Sequence, residues 1–201
     1  MRSSSKQTVL QVLPMSLVVL RFGLAPVLLG DAIDGQTGLW FIAAFAIAFL
    51  SDIFDGIIAR RLQVSTAALR QADSWADVCL YLCVCASAIF VHSDAIAAFR
   101  LPLMAVVVAQ LIWWGVNLWK YGRPASYHTY SAKLWGLTLF IATLALFGCH
   151  YAGITLWLAA IVGLAHTLEE VCMTLLLPVW THDVLSLFHA LRLRQHYLSQ
   201  S

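Results

Sequence analysis

Residues 38–58 read GLWFIAAFAIAFLSDIFDGII, an apolar run from Phe41 to Leu50 followed at once by Asp52 and Asp55. A bilayer core of about 30 Å is crossed by roughly 20 apolar helical residues. The segment is therefore expected to be a membrane-spanning helix that carries two carboxylates near one end. The composition around it agrees. Of 201 residues, 61% are hydrophobic and only 11% charged, and the mean hydropathy is +0.82. Soluble domains sit near ~45–50% apolar and ~25% charged, so this chain cannot cover a water-facing surface. A soluble globular fold, a disordered chain, a coiled coil and a basic nucleic-acid binder are excluded on the same figures. The chain is read as an integral membrane protein with no nucleic-acid partner.

Five further segments have the same character: Leu13–Gly30, Ala76–His92, Leu101–Trp119, Leu134–Cys149 and Ile154–Leu177. The predicted fold is all-α, with six transmembrane helices. Residues 1–12 are expected to form a short N-terminal interfacial helix, and 178–201 a cytoplasmic tail. The first span is followed by more apolar segments and lacks a small-residue cleavage site, so it is expected to be a span and not a leader. With no internal repeat, 1–201 is read as a single domain. Basic residues alternate between loops. Arg2 and Lys6 precede span one, Arg60, Arg61 and Arg70 follow span two, Lys120, Arg123 and Lys133 follow span four, and Arg192 and Arg194 follow span six. The opposite loops carry Asp31, Asp34 and Asp94 with only Arg100 as a base. The positive-inside rule then places both termini in the cytoplasm, as an even number of spans requires. The cysteines (Cys79, Cys83, Cys85, Cys149, Cys172) all lie in apolar stretches and are read as packing residues.

Asp52 and Asp55 in span two are matched by Asp73 and Asp77 at the start of span three. Spacings of three and four residues put each pair on one helical face, about 60° and 40° apart. Four aspartates carried toward hydrocarbon cost on the order of 10 kcal/mol unless a cation offsets them. The local arginines, Arg60 and Arg70, neutralise two carboxylates at most. Hard oxygen donors with no interleaved histidine or cysteine select magnesium, manganese or calcium over zinc. Two pairs of carboxylates suit a two-ion centre that clamps a phosphate in transfer.

The segment Asp52-x-x-Asp55-Gly56-x-x-Ala59-Arg60, eight residues, Leu69-x-x-x-Asp73-x-x-x-Asp77 strongly resembles the signature of the CDP-alcohol phosphotransferases. Pro14, Arg21 and Pro26 in span one look like that family's first span. The resemblance implies a transferase of phospholipid biosynthesis. It would take a phosphatidyl group from a CDP-linked lipid donor, usually CDP-diacylglycerol, to a small alcohol acceptor and release CMP. It implies Mg²⁺ or Mn²⁺ as cofactor, with Asp52, Asp55 and Asp73 as metal ligands and Asp77 near the second ion. Asp77 is also the implied general base. Asp52, Gly56, Ala59, Arg60 and the position of Leu69 are implied to line the nucleotide pocket. The resemblance further implies a homodimer in a bacterial-type cytoplasmic (inner) membrane, with the active site toward the cytoplasm.

Two departures stand out. The family has a glycine where this chain has Leu69, and no glycine occurs between Arg61 and Asp73. A re-shaped pocket, an altered donor and a weakened enzyme are the three consequences to separate. At the start of span five many members carry Gly-Lys-x-Lys-Thr, and this chain reads Ala132-Lys133-Leu134-Trp135-Gly136. Lys133, with Arg123 and His128 nearby, is the candidate acceptor-binding group, since a phosphate-bearing acceptor needs cationic donors. Lys120, Arg123 and His128 also suit interfacial anchors.

Glu169 and Glu170 lie ~24 Å into span six at 1.5 Å per residue, at the depth of Asp52 in span two. An Arg21 to glutamate ion pair tying spans one and six is the expectation for them. Two rival functions remain. One is a catalytically silent family member with a binding role, which Leu69 keeps in play. The other is a cation transporter using the same acids. The acids cluster at one depth and the halves do not repeat, which argues against transport.

Overall fold

The computed structural model describes residues 2–62 and 67–200. Within them the chain forms eight helices and no strand: α1 (Arg2–Ala32), α2 (Leu39–Arg61), α3 (Ala67–Val91), α4 (Ser93–Ala98), α5 (Arg100–Tyr121), α6 (Tyr130–Cys149), α7 (Ile154–Leu176) and α8 (Leu187–Gln200). Backbone polar groups have no water partner in a bilayer, so an apolar chain of this kind must satisfy them within helices. Six helices hold segments long and apolar enough to cross: Leu13–Ala32, Leu39–Ile58, Gln71–Val91, Arg100–Tyr121, Tyr130–Cys149 and Ile154–Leu176. The protein is an all-α membrane protein with the six predicted spans. Residues 2–12 are helical and run straight into the first span as part of α1.

Local chemistry sets the boundaries. Gly122 ends α5 in the left-handed region (φ 67°), and its N–H closes onto the Leu118 carbonyl. The fifth span begins at Tyr130, four residues before the predicted Leu134, because Thr129 caps it. The Ala132 N–H donates to Thr129 Oγ1 at 3.1 Å. Lys133 therefore lies in the first turn of α6 and not ahead of the helix. At α7 the Ile154 N–H donates to the Tyr151 hydroxyl at 3.1 Å. A side chain at Gly153 would run into that same Tyr151 ring.

The chain divides into two compact units, residues 1–96 with 146–150, and residues 97–145 with 151–201. In the first, α1 packs against both α2 and α3. Small side chains are buried on these three helices, among them Ala25, Ala32, Ala44, Ala48 and Ala76. Small residues let membrane helices approach closely, which replaces the hydrophobic driving force absent in lipid. Val18, Leu69 and Ala76 form a buried cluster there, with Ala72 against it. Phe41 and Phe147 stack at 4.3 Å between ring centroids.

In the second unit α5 packs on α7, and α7 on α8. Gln110 Nε2 donates to Thr167 Oγ1 at 2.7 Å, and Thr174 Oγ1 donates to Asn117 Oδ1 at 3.2 Å. Lys120 Nζ donates to the Thr174 and Leu175 carbonyls, each at 2.8 Å. A cation thus caps the C-terminal end of α7, where orphan carbonyls and the helix dipole favour it. Large apolar side chains such as Leu101, Trp119 and Ile154 point outward, as a lipid-facing surface requires.

Candidate active site

The four signature aspartates converge. Asp52 and Asp55 project from α2, Asp73 and Asp77 from α3, and all four meet the guanidinium of Arg21 from α1. Arg21 Nη1 donates to Asp73 Oδ1 at 2.9 Å, contacts Asp52 Oδ1 at 3.1 Å and donates to Asp77 Oδ1. Its Nη2 donates to Asp55 Oδ2. The i,i+3 and i,i+4 spacings do what they predicted, presenting two carboxylates per helix on one face. Packing of α1 against both helices supplies the cation.

Exposure within the cluster is uneven. The Arg21 side chain is 0% exposed and that of Asp55 5%, whereas Asp52, Asp73 and Asp77 retain 38%, 34% and 36%. The guanidinium is therefore a floor beneath three carboxylates that remain open to a ligand. Its Nε is buried without a hydrogen-bond partner in the structure. One oxygen each from Asp52, Asp55 and Asp73 lies within 4.8 Å of the others. All-carboxylate donors at that spacing fit a hard divalent cation.

Arg21 was expected to pair with a glutamate of span six, and its partners are instead the four aspartates. The glutamates have other roles. Glu169 Oε1 accepts the Leu187 N–H at 3.0 Å at the start of α8, where a carboxylate complements the helix dipole. Glu170 is buried and accepts from Thr129 Oγ1 at 3.5 Å. His166, one turn earlier, has Nδ1 3.1 Å from Ser131 Oγ, and its ring lies against Trp135. Gly163 leaves room for that indole, since a Cβ there would fall 2.6 Å from Trp135 Nε1. Nearby, burial pushes the Tyr127 phenol pKa up, against hydrogen bonding with Thr174 and Tyr121.

The remaining candidates are placed as follows. Gly56 follows Asp55 on α2. Ala59 and Arg60 lie in the last turn of α2, and their side chains fall outside the described residues, as does that of Arg70. Leu69 is buried against Val18 and Ala76. Lys133, Arg123 and His128 belong to the second unit, are all exposed, and each meets a different neighbour. Lys133 Nζ lies 5.5 Å from the Tyr130 ring centre. The Arg123 guanidinium stacks 3.9 Å over the Trp180 ring, and His128 Nε2 is 3.5 Å from Asp183 Oδ1.

The profile of the CDP-alcohol phosphatidyltransferase family matches residues 11–168 of this chain, which includes Arg21 and all four aspartates of the cluster. The chain belongs to that family, whose members transfer a phosphatidyl group from a CDP-alcohol and are typically metal-dependent. Neither the curated proteins nor the solved structures hold a significant match to it. The protein is thus a membrane-embedded transferase of the CDP-alcohol type.

Proposed function

We propose that the chain transfers a phosphatidyl group from a CDP-linked lipid, such as CDP-diacylglycerol, to a small alcohol, releasing CMP in phospholipid synthesis. The observation that carries this reading is the meeting of four carboxylates from α2 and α3 at one point, three of them open. Asp52, Asp55 and Asp73 would hold Mg²⁺ or Mn²⁺, with Asp77 beside a second ion. Ions held by these carboxylates would supply positive charge to offset the donor's diphosphate and the charge that develops in transfer. Asp77, on the open side of the cluster, takes the proton of the acceptor hydroxyl. The acceptor oxygen then bonds to the lipid-bearing phosphorus as its bond to the bridging oxygen breaks, and CMP leaves with that electron pair. Gly56, Ala59 and Arg60, at the end of α2, together with Asp52, are proposed to line the nucleotide pocket, with Leu69 at its border.

The acceptor is read as approaching through Lys133, Arg123 and His128. Of these Lys133 has the least committed charge, since Arg123 stacks on Trp180 and His128 faces Asp183. The distribution of basic loops supports cytoplasmic termini and an active site at the cytoplasmic leaflet of a bacterial-type inner membrane. A lipid donor enters such a site sideways while a soluble alcohol arrives from water. The whole chain, 1–201, is proposed to act as one catalytic domain, and a homodimer is the proposed assembly.

The test is to incubate purified protein with CDP-diacylglycerol and Mn²⁺ or Mg²⁺ against a panel of alcohols and to measure CMP. Release that depends on one alcohol supports the reading and names the acceptor. Absence of release with every alcohol and both ions contradicts it in favour of a silent, ligand-binding member.

A further inference from the structure

Arg21 lies within a span, is fully buried, and bonds to all four signature aspartates at once. A charged group in a span is expensive unless it is paired, and this one has no water to turn to. Among the described side chains the cluster carries four negative charges against one positive. Two divalent ions on the same carboxylates would overshoot neutrality by a single charge. A guanidinium and a divalent ion also repel strongly when they share oxygens at such short range. The other described carboxylates of this unit, Asp31, Asp34 and Asp94, lie at or beyond the ends of the spans, and Asp31 and Asp34 are ten or more residues from Arg21 in sequence. If Arg21 gives up the aspartates, the diphosphate that the donor brings is an anion that suits its guanidinium.

Resting on the metal reading above, we propose that Arg21 is the resident cation of the ion-free site, and that ion binding is an exchange. The guanidinium holds the four carboxylates together when no ion is present. It yields them as ions bind and turns to the donor's phosphates, so ions and nucleotide bind cooperatively. Arg21 acts here as a positioning residue. Its planar fork suits both carboxylates and phosphates. Its buried, unpartnered Nε leaves a donor free for the second arrangement.

The test is Mn²⁺ binding followed by electron paramagnetic resonance on the full chain in detergent, with and without CDP as the nucleotide probe, for wild type, Arg21→Gln and Arg21→Lys. Removing the competing cation in Arg21→Gln should tighten Mn²⁺ binding in the absence of CDP. The gain should fall in the roughly 5–150-fold range usual for coupled sites. The enhancement of Mn²⁺ binding by CDP should shrink correspondingly, and Arg21→Lys should lie between the two. In chelator, Arg21→Gln should melt earlier than wild type and recover more on adding Mn²⁺. Should Arg21→Gln fold only with Mn²⁺ present, the structural half of the proposal is supported, and Arg21→Lys then supplies the affinity comparison. Equal or weaker Mn²⁺ binding by both variants, with wild-type CDP coupling, overturns the exchange. Failure of every protein to bind Mn²⁺ contradicts instead the metal reading beneath it.

Discussion

Arg21 Nη1 reaches Asp73 Oδ1 at 2.9 Å across 52 positions of sequence, and that contact joins the first span to the third at the centre of the acid cluster. It explains how four carboxylates coexist in a membrane-embedded site before any ion arrives. Breaking a buried pair by removing one partner leaves an uncompensated charge, which is strongly destabilising.

Chelation should abolish CMP release and lower the melting temperature. An ion that binds only the folded state adds RT ln(1 + [L]/Kd), about 2.7 kcal/mol at a hundredfold excess over Kd. Arg21 keeps the ion-free form folded, so the chelated protein should melt cooperatively at a lower temperature and regain its stability with Mn²⁺. Thermal unfolding in detergent with and without chelator measures this. Activity indifferent to chelator would remove the metal assignment.

Leu69 fills space between α1 and α3, against Val18 and Ala76. Leu69→Ala should therefore lose stability, by about 2–5 kcal/mol if the site relaxes as packed cores usually do. Leu82, 65% exposed, is the matched control and should tolerate the same change. If residue 69 also borders the nucleotide, the KM for the CDP donor should shift in Leu69→Ala while the Mn²⁺ requirement stays. A stability loss with unchanged KM for every CDP donor would make the position purely structural.

Lys120 spends its charge on the Thr174 and Leu175 carbonyls. Lys120→Met should cost about 0.3–2 kcal/mol of stability, as for a cation at a helix C-terminus, and should leave the KM for the acceptor unchanged. A raised acceptor KM would instead make Lys120 a ligand.

His92, just past the third span, has its ring edge-on to Phe147 at 5.0 Å and 5.4 Å from His150. Burial, and then the neighbouring His150, hold its pKa below the ordinary 6.5. The fold thus favours the neutral ring. Its contribution is complete above the unfolded-state value of about 6.5 and is lost as pH falls from there toward the lower folded-state value. His92→Phe should flatten the decline in melting temperature as pH falls below about 6.5. An equally steep decline in the variant would place the acid sensitivity elsewhere.

Much of this architecture was legible in the sequence. Six apolar runs gave six spans, and helical spacing placed Asp52 with Asp55 and Asp73 with Asp77. Both are local properties, governed by hydropathy and a fixed rise per residue. What escaped was tertiary. The side chains of Arg60 and Arg70, the cations close in sequence, lie outside the described residues, and the cation found among the acids is Arg21, brought in by packing of α1. Its signal was visible as a lone arginine inside an apolar span, which must find a negative partner at its own depth. The start of the fifth span was displaced because Thr129, a capping residue, outranks hydropathy in setting a helix end. The packing of Leu69 followed from nothing local, since a glycine position in a family pattern does not say which neighbours close over a leucine.

The most direct measurement is CMP release from CDP-diacylglycerol by Asp77→Asn and Asp55→Asn, each titrated with Mn²⁺. Both changes keep the side chain's size and one coordinating oxygen. If Asp77 is the base, Asp77→Asn should lose about 10²–10⁴-fold in turnover and keep donor binding, and added Mn²⁺ should restore none of it. Asp55→Asn, which removes a proposed ligand and not the base, should need more Mn²⁺ for half activity and be partly rescued by excess. Equal rescue of both variants, or wild-type turnover in Asp77→Asn, would contradict the assignment of proton transfer to Asp77.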